Sequence, residues 1–132
     1  FINGGIIVSY QKASGEKLIF ESTESGADQA PLVVLINRST ASAAEILAAA
    51  LQDRNRAVIL GEKSYGKGTV QEFKTLNDGS KLELTVALYR SPSGKLIEGK
   101  GVSPDLAVPE SVIASKSLQV LGGLAALITP NN

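Results

Sequence analysis

Histidine and cysteine are both absent from this chain. Without histidine, it contributes no Ser–His or Cys–His catalytic pair and no histidine-ligated metal site. Without cysteine, thiol catalysis, disulfides and cysteine-ligated zinc are excluded too, and either redox compartment stays compatible. A nucleophile must then be Ser, Thr, Lys or a carboxylate, and a base Lys, Asp, Glu or Tyr. An excess charge is missing as well: Lys plus Arg and Asp plus Glu balance at 13 each. Nothing suggests a polyanion-binding surface, which argues against nucleic acid as a partner. No apolar run reaches the ~18 residues of a membrane span. Residues 118–128 are apolar but short, and Gly122-Gly123 interrupts them. No signal peptide is visible. The chain opens on Phe1-Ile2-Asn3-Gly4-Gly5 with no initiator methionine, which reads as part of a longer protein.

What is present suffices for one domain with a core: 132 residues, 43% hydrophobic and 20% charged. Ile6-Ile7-Val8-Ser9-Tyr10 predicts a strand, and residues 17–21 a second that closes a hairpin. Residues 22–30 are polar and predict a loop. Leu32-Val33-Val34-Leu35-Ile36 has no alternation, which predicts a strand covered on both faces. A helix follows over residues 42–53, with Ile46, Leu47, Ala50 and Leu51 as its apolar stripe. Ala57-Val58-Ile59-Leu60 is a further buried strand, making a parallel βαβ unit. Residues 61–68 form a glycine-rich loop and 69–76 a strand. Asn77-Asp78-Gly79-Ser80 is a hairpin turn. Residues 81–90 alternate, with Leu82, Leu84, Val86 and Leu88 on one face, and predict a half-exposed antiparallel strand. Residues 95–98 return, 102–108 are extended, and 112–127 form a C-terminal helix weakened by its two glycines.

Ser42 stands where a buried strand turns into a helix. There the N–H groups of the first helical turn lack partners, and the helix dipole favours negative charge. A hydroxyl at this point suits a nucleophile, with the Ala43 N–H as an oxyanion donor. The same residues carry a structural reading: Ser42-Ala43-Ala44-Glu45 is a capping box, and Ser39 and Thr40 are also possible caps. Lys67 lies 25 residues after Ser42, between Gly66 and Gly68. Its ordinary role is a solvated lysine in a turn. As a general base it must be desolvated to become neutral, with Tyr65 and Val70 as apolar cover. Gln71, four residues on, would share its side of a strand and orient the amine without a carboxylate's charge. The run from Gly61 to Lys67 also matches G-x-x-x-x-G-K, the start of a nucleotide-binding P-loop. Gly68 stands where that motif needs Ser or Thr, and the next segment favours strand over helix. This argues against nucleotide as a ligand.

Four stretches together resemble the carboxy-terminal processing (tail-specific) proteases, the S41 serine peptidases. They begin at Pro31 (through Ser39-Thr-Ala-Ser-Ala-Ala-Glu-Ile), at Ala50 (Ala-Leu-Gln-Asp-Arg), at Gly61 (through Gly66-Lys-Gly-Thr-Val-Gln) and at Gly99 (Gly-Lys-Gly-Val-Ser-Pro-Asp). The likeness runs in order over residues 1–108. It implies an α/β fold, a ClpP/crotonase-like core of ββα units with a buried parallel βαβ and an antiparallel hairpin. It implies an endopeptidase that cleaves protein or peptide substrates near their C-termini, without cofactor or metal. Carried over by motif, Ser42 matches the nucleophile, Lys67 the general base, Gln71 the residue that orients the lysine, and Ala43 the backbone oxyanion donor. The family takes a second oxyanion N–H from an Asn-Pro-Gly-Gly segment. Asn3-Gly4-Gly5 lacks the proline and is not assigned that role. The family's PDZ domain has no counterpart here, so residues 1–132 are expected to be the C-terminal portion of the peptidase core. Family members typically act outside the cytoplasm, in the bacterial periplasm, at the outer membrane face or in the thylakoid lumen. Two other readings remain: a catalytically silent scaffold or binding fragment, and a nucleotide-binding domain on the Gly61 loop.

Overall fold

A computed structural model describes residues 1–23, 25 and 29–128, with side chains as far as residue 124. Residues 24 and 26–28 of the loop expected over 22–30 therefore lie outside the described residues. Two sheets form. The first holds β1 (Gly5–Lys12), β2 (Lys17–Ser22), β5 (Thr69–Thr75) and β6 (Lys81–Arg90), in the order β2-β1-β6-β5, and every neighbouring pair is antiparallel. The second holds β3 (Val33–Ile36), β4 (Val58–Gly61) and β7 (Leu106–Ala107), in the order β3-β4-β7, all parallel. Helix α1 (Ala43–Asp53) links β3 to β4 and touches both sheets, through β1 and β4. Helix α2 (Ile113–Ile128) packs on β3 and β4. The mixed α/β fold, the βαβ unit and both hairpins agree with the sequence reading.

The core lies between α1 and the sheets. Ile36, Ala48, Ala49, Ile59, Ile97 and Val102 are buried in it, and Val34, Ile46, Ala57 and Tyr89 pack against it. Tyr10 joins Phe20 and Tyr89, with ring centroids 5.3 and 6.2 Å away.

Several expectations are corrected. Leu47, placed on the buried stripe of α1, is 50% exposed. The helix instead buries three consecutive alanines, Ala48, Ala49 and Ala50, together with Leu51. A helix pressed between two sheets needs small residues over a wide arc, so a narrow stripe of large residues is the wrong template. Leu35 of β3 is 47% exposed, so that strand is not covered on both faces along its length. On β6, Ala87 is buried, whereas Leu82 and Leu84 of the apolar face stand exposed. Strand β1 pairs only with Ala87 to Arg90. Beyond that point β6 has β5 as its neighbour in the sheet, and the two leave the core as a ribbon whose alternation no longer decides burial. The expected return over 95–98 is reduced to a single bridge, Arg90 to Leu96. Within the extended stretch 102–108, two residues form β7, a third parallel strand that the sequence reading did not separate.

Candidate active site

Strand β3 ends at Ile36, and Asn37 builds the turn that follows. Its Oδ1 accepts from the Ser39 N–H at 3.0 Å, and its own N–H donates to Thr40 Oγ1 at 3.0 Å. Its carbonyl accepts from the Thr40 N–H. Asn37 thus holds Ser39 and Thr40 in the turn, and neither caps the helix. The Thr40 carbonyl accepts from the Tyr65 N–H at 2.9 Å, which docks the glycine-rich loop here.

Ser42 is the N-cap of α1, with φ 57° and ψ −122°. A residue with a Cβ pays steric strain in this region and keeps the conformation only where its surroundings hold it. Half of the capping box is firm: the Ser42 N–H donates to Glu45 Oε2 at 2.9 Å. The Ser42 side chain lies in capping-box position toward the Glu45 N–H, but that N–H donates to the Ser42 carbonyl at 2.9 Å and no side-chain capping hydrogen bond forms. The half-buried side chain is therefore not tied to its own helix. The next residue, Ala43, is exposed, and among the described residues its N–H has no hydrogen-bond partner.

Glu45 has a larger part than a cap. It is fully buried, at 0% exposure. Its Oε1 accepts from the Ser64 hydroxyl at 2.5 Å and the Gly66 N–H at 2.6 Å. Its Oε2 accepts from the Ser42 N–H and from the Lys67 N–H at 2.8 Å. Four donors fill the hydrogen-bonding capacity of the carboxylate and compensate its burial. Ser64 Oγ in turn accepts from the Val102 N–H at 2.7 Å. Sequence reasoning saw only the Ser42–Glu45 link, because three donors come from a loop about twenty residues on. The available signal was a glutamate on a helix face otherwise made of alanines.

The glycine-rich loop fits against the 97–101 segment, backbone to backbone. Gly66 has φ +93° and lies against the Gly101 and Lys100 N–H groups. Gly68 leaves no room for a Cβ beside Glu98, whose carboxylate accepts from the Gly68 N–H at 2.6 Å. The loop's amides point inward: those of Glu62, Ser64, Tyr65, Gly66, Lys67 and Gly68 all donate to protein acceptors. A P-loop would turn such groups outward to a phosphate.

Ser42 and Lys67 thus meet through their main chains, on one oxygen of Glu45. Their side chains do not meet. Lys67 is exposed, and among the described residues no hydrogen bond joins it to Ser42 or to Gln71. Gln71 is exposed on β5, and its Oε1 accepts from the Thr85 hydroxyl at 3.0 Å. Tyr65, expected to cover the lysine, is 71% exposed, and Val70 is half-buried. Gly4 and Gly5 lie far from this cluster. Gly5 packs under the guanidinium of Arg54, the C-cap of α1, and Arg54 donates to the Ile6 carbonyl at 2.9 Å. At 1.5 Å of rise per residue, that end of the helix is about 18 Å from Ser42.

A sequence profile of peptidase family S41 matches residues 1–108. The chain is 44% identical over 112 residues to a carboxy-terminal-processing protease of Bartonella bacilliformis, covering 83% of this chain and 26% of that protein. It is 41% identical over 129 residues to a chloroplastic C-terminal processing peptidase of Tetradesmus obliquus, covering 95% of this chain and 28% of the other. The solved structure of a photosystem II D1 C-terminal processing protease superposes with a TM-score of 0.74 at 44% identity, covering 81% of this chain and 28% of that one. The chain spans about a quarter of the length of these relatives.

Proposed function

Since the chain belongs to peptidase family S41, we propose that it carries the nucleophile and the base of a serine endopeptidase that cleaves proteins near their C-termini. The observation that carries this reading is Ser42. Its backbone is strained, no side-chain hydrogen bond ties its hydroxyl to the helix it caps, and among the described residues the adjacent Ala43 N–H has no partner. Strain at a strand-to-helix turn is how a nucleophile is raised clear of its scaffold.

Ser42 Oγ attacks the scissile carbonyl carbon, and its proton passes to the Lys67 amine once that side chain is turned to Ser42 and covered from water. The carbonyl oxygen becomes an oxyanion held by the Ala43 N–H at the positive end of α1. The C–N bond breaks as Lys67 gives its proton to the leaving amine, leaving an acyl-enzyme on Ser42. Water, deprotonated by Lys67, then releases the acid. Gln71 orients the lysine, its amide oxygen fixed by Thr85 and retaining a second lone pair for the amine. No metal or cofactor enters these steps. Residues 1–132 serve as the C-terminal portion of the peptidase core, and a PDZ domain elsewhere in the protein selects substrates. The relatives matched are bacterial and chloroplastic proteins. With them, an extracytoplasmic site of action, in the periplasm or at the outer face of the membrane, fits this reading.

A second reading is favoured by one observation. The exposed Lys67 makes no bond to Ser42, as in a catalytically silent scaffold. Mutation separates the two. Ser42→Ala and Lys67→Ala in the full-length protein should each abolish peptide cleavage, by at least about 10³-fold in kcat, with circular dichroism unchanged. Cleavage retained in either variant would sink the dyad.

A further inference from the structure

We propose that Glu45 is a positioning residue: its buried carboxylate locks the main chain of the nucleophile to the main chain of the base, and Ser64 extends that lock to the 99–102 turn. The inference rests on the Ser42–Lys67 reading above. A glutamate that merely completed a capping box would need only the Ser42 N–H and would keep its second oxygen in water. Here the side chain is fully buried, and three of its four donors belong to the 64–67 loop. A carboxylate is costly to bury unless donors surround it, so the loop must close on Glu45 for the fold to tolerate it. One atom, Oε2, receives both the Ser42 and the Lys67 amides. Moving either main chain breaks a hydrogen bond that also fixes the other. The strained dihedrals of Ser42 need such a constraint from outside the helix. The link does not end at the glutamate. Ser64 donates to Oε1 and accepts from the Val102 N–H, and a Cβ on Gly101 would collide with Ser64. The turn containing Lys100 is therefore held against the site by the same network.

Glutamine has nearly the shape of glutamate but only one acceptor oxygen, and its amide nitrogen would face donors already pointing inward. In the full-length protein, Glu45→Gln should lower kcat about 10²-fold with KM within about threefold, since misplacing the nucleophile against its base affects the chemical step. Ser64→Ala should cost about tenfold in kcat, and the double variant should be no worse than Glu45→Gln alone, within about threefold, because both act through one network. Gln52→Ala is the control. It removes hydrogen bonds to Ser103 and Asp105 near the far end of α1 and should keep kcat within about twofold at a similar loss of melting temperature. Wild-type kcat in Glu45→Gln, a loss confined to KM, losses that multiply in the double variant, or an equal fall in Gln52→Ala would each overturn the proposal. If Glu45→Gln does not fold, Ser64→Ala decides, and an unchanged kcat there is fatal. If Ser42→Ala or Lys67→Ala still cleaves, the underlying dyad fails. If both are dead and Glu45→Gln is active, only the present inference fails.

Discussion

Gly68 is the residue that joins the glycine-rich loop to the segment behind it. Its φ is not the constraint; its neighbour is, since a Cβ would enter the backbone of Glu98. Gly68→Ala should push the two segments apart, cost about 2–3 kcal/mol as overpacking does, and lower the melting temperature by several degrees. A thermal melt indistinguishable from wild type would mean that residues 97–98 yield freely. The same closeness explains what was legible here residue by residue. Ser42, Lys67, Gln71 and Ala43 were singled out by spacing, by the absence of histidine and by resemblance to the family's motifs. That the Ser42, Lys67 and Gln71 side chains stand apart was not legible along the chain. Nor was the buried role of Glu45, because it depends on loop amides brought in by tertiary folding. The exposure of Tyr65 was likewise unreadable, since cover for a loop is decided by what packs on it.

At the scale of the element, α1 does two jobs, one at each end. Its N-terminus presents Ser42. Its C-terminal turn ties down three other segments: Gln52 donates to Ser103 and Asp105, Arg54 to Ile6, and Asp53 accepts from the Ser93 N–H at 2.9 Å. The existence of the helix was plain from the sequence, but not its faces, because alanines carry no periodic signal. Asp53 gives this end of the helix a pH dependence. Burial alone would raise its carboxyl, but hydrogen bonds from Ser91, Ser93 and Lys95 outweigh that and bring it to about 2, below the ordinary 3.8. A carboxyl held low in the folded state binds fewer protons than in the unfolded chain. Its stabilisation is therefore present in full above about pH 4 and lost as pH falls through about 2. Allowing for solvent screening, the effect is about 1–2 kcal/mol. Melting temperatures from pH 6 to pH 2 should fall less steeply in Asp53→Asn than in wild type. Parallel curves would show that the carboxyl is not held low.

For the whole molecule, the question is what this chain achieves by itself. Among the described residues, the proposed site offers one unpartnered N–H beside Ser42, that of Ala43. The Asn3-Gly4-Gly5 segment, not assigned an oxyanion-donor role from the sequence, lies away from this site, with Gly5 under Arg54 at the opposite end of α1. The surroundings of Ser42 are also open. Tyr65 and Leu47 are exposed, and so is the Lys67 side chain. A reaction that develops an oxyanion is most helped where donors converge and water is excluded. Losing one such donor costs about 10²–10³-fold in rate. The relatives that share this fold are about four times as long, which leaves ample chain to supply both the second donor and the cover. The 132-residue chain alone should therefore hydrolyse a peptide substrate at least about 10²-fold more slowly than the full-length protein, with Ser42 still required for whatever rate remains. Side-by-side kcat measurements on one peptide, each repeated with Ser42→Ala, test this. Equal rates would mean that Ala43 and the open cluster around Ser42 are sufficient, and that the missing cover is not what limits catalysis.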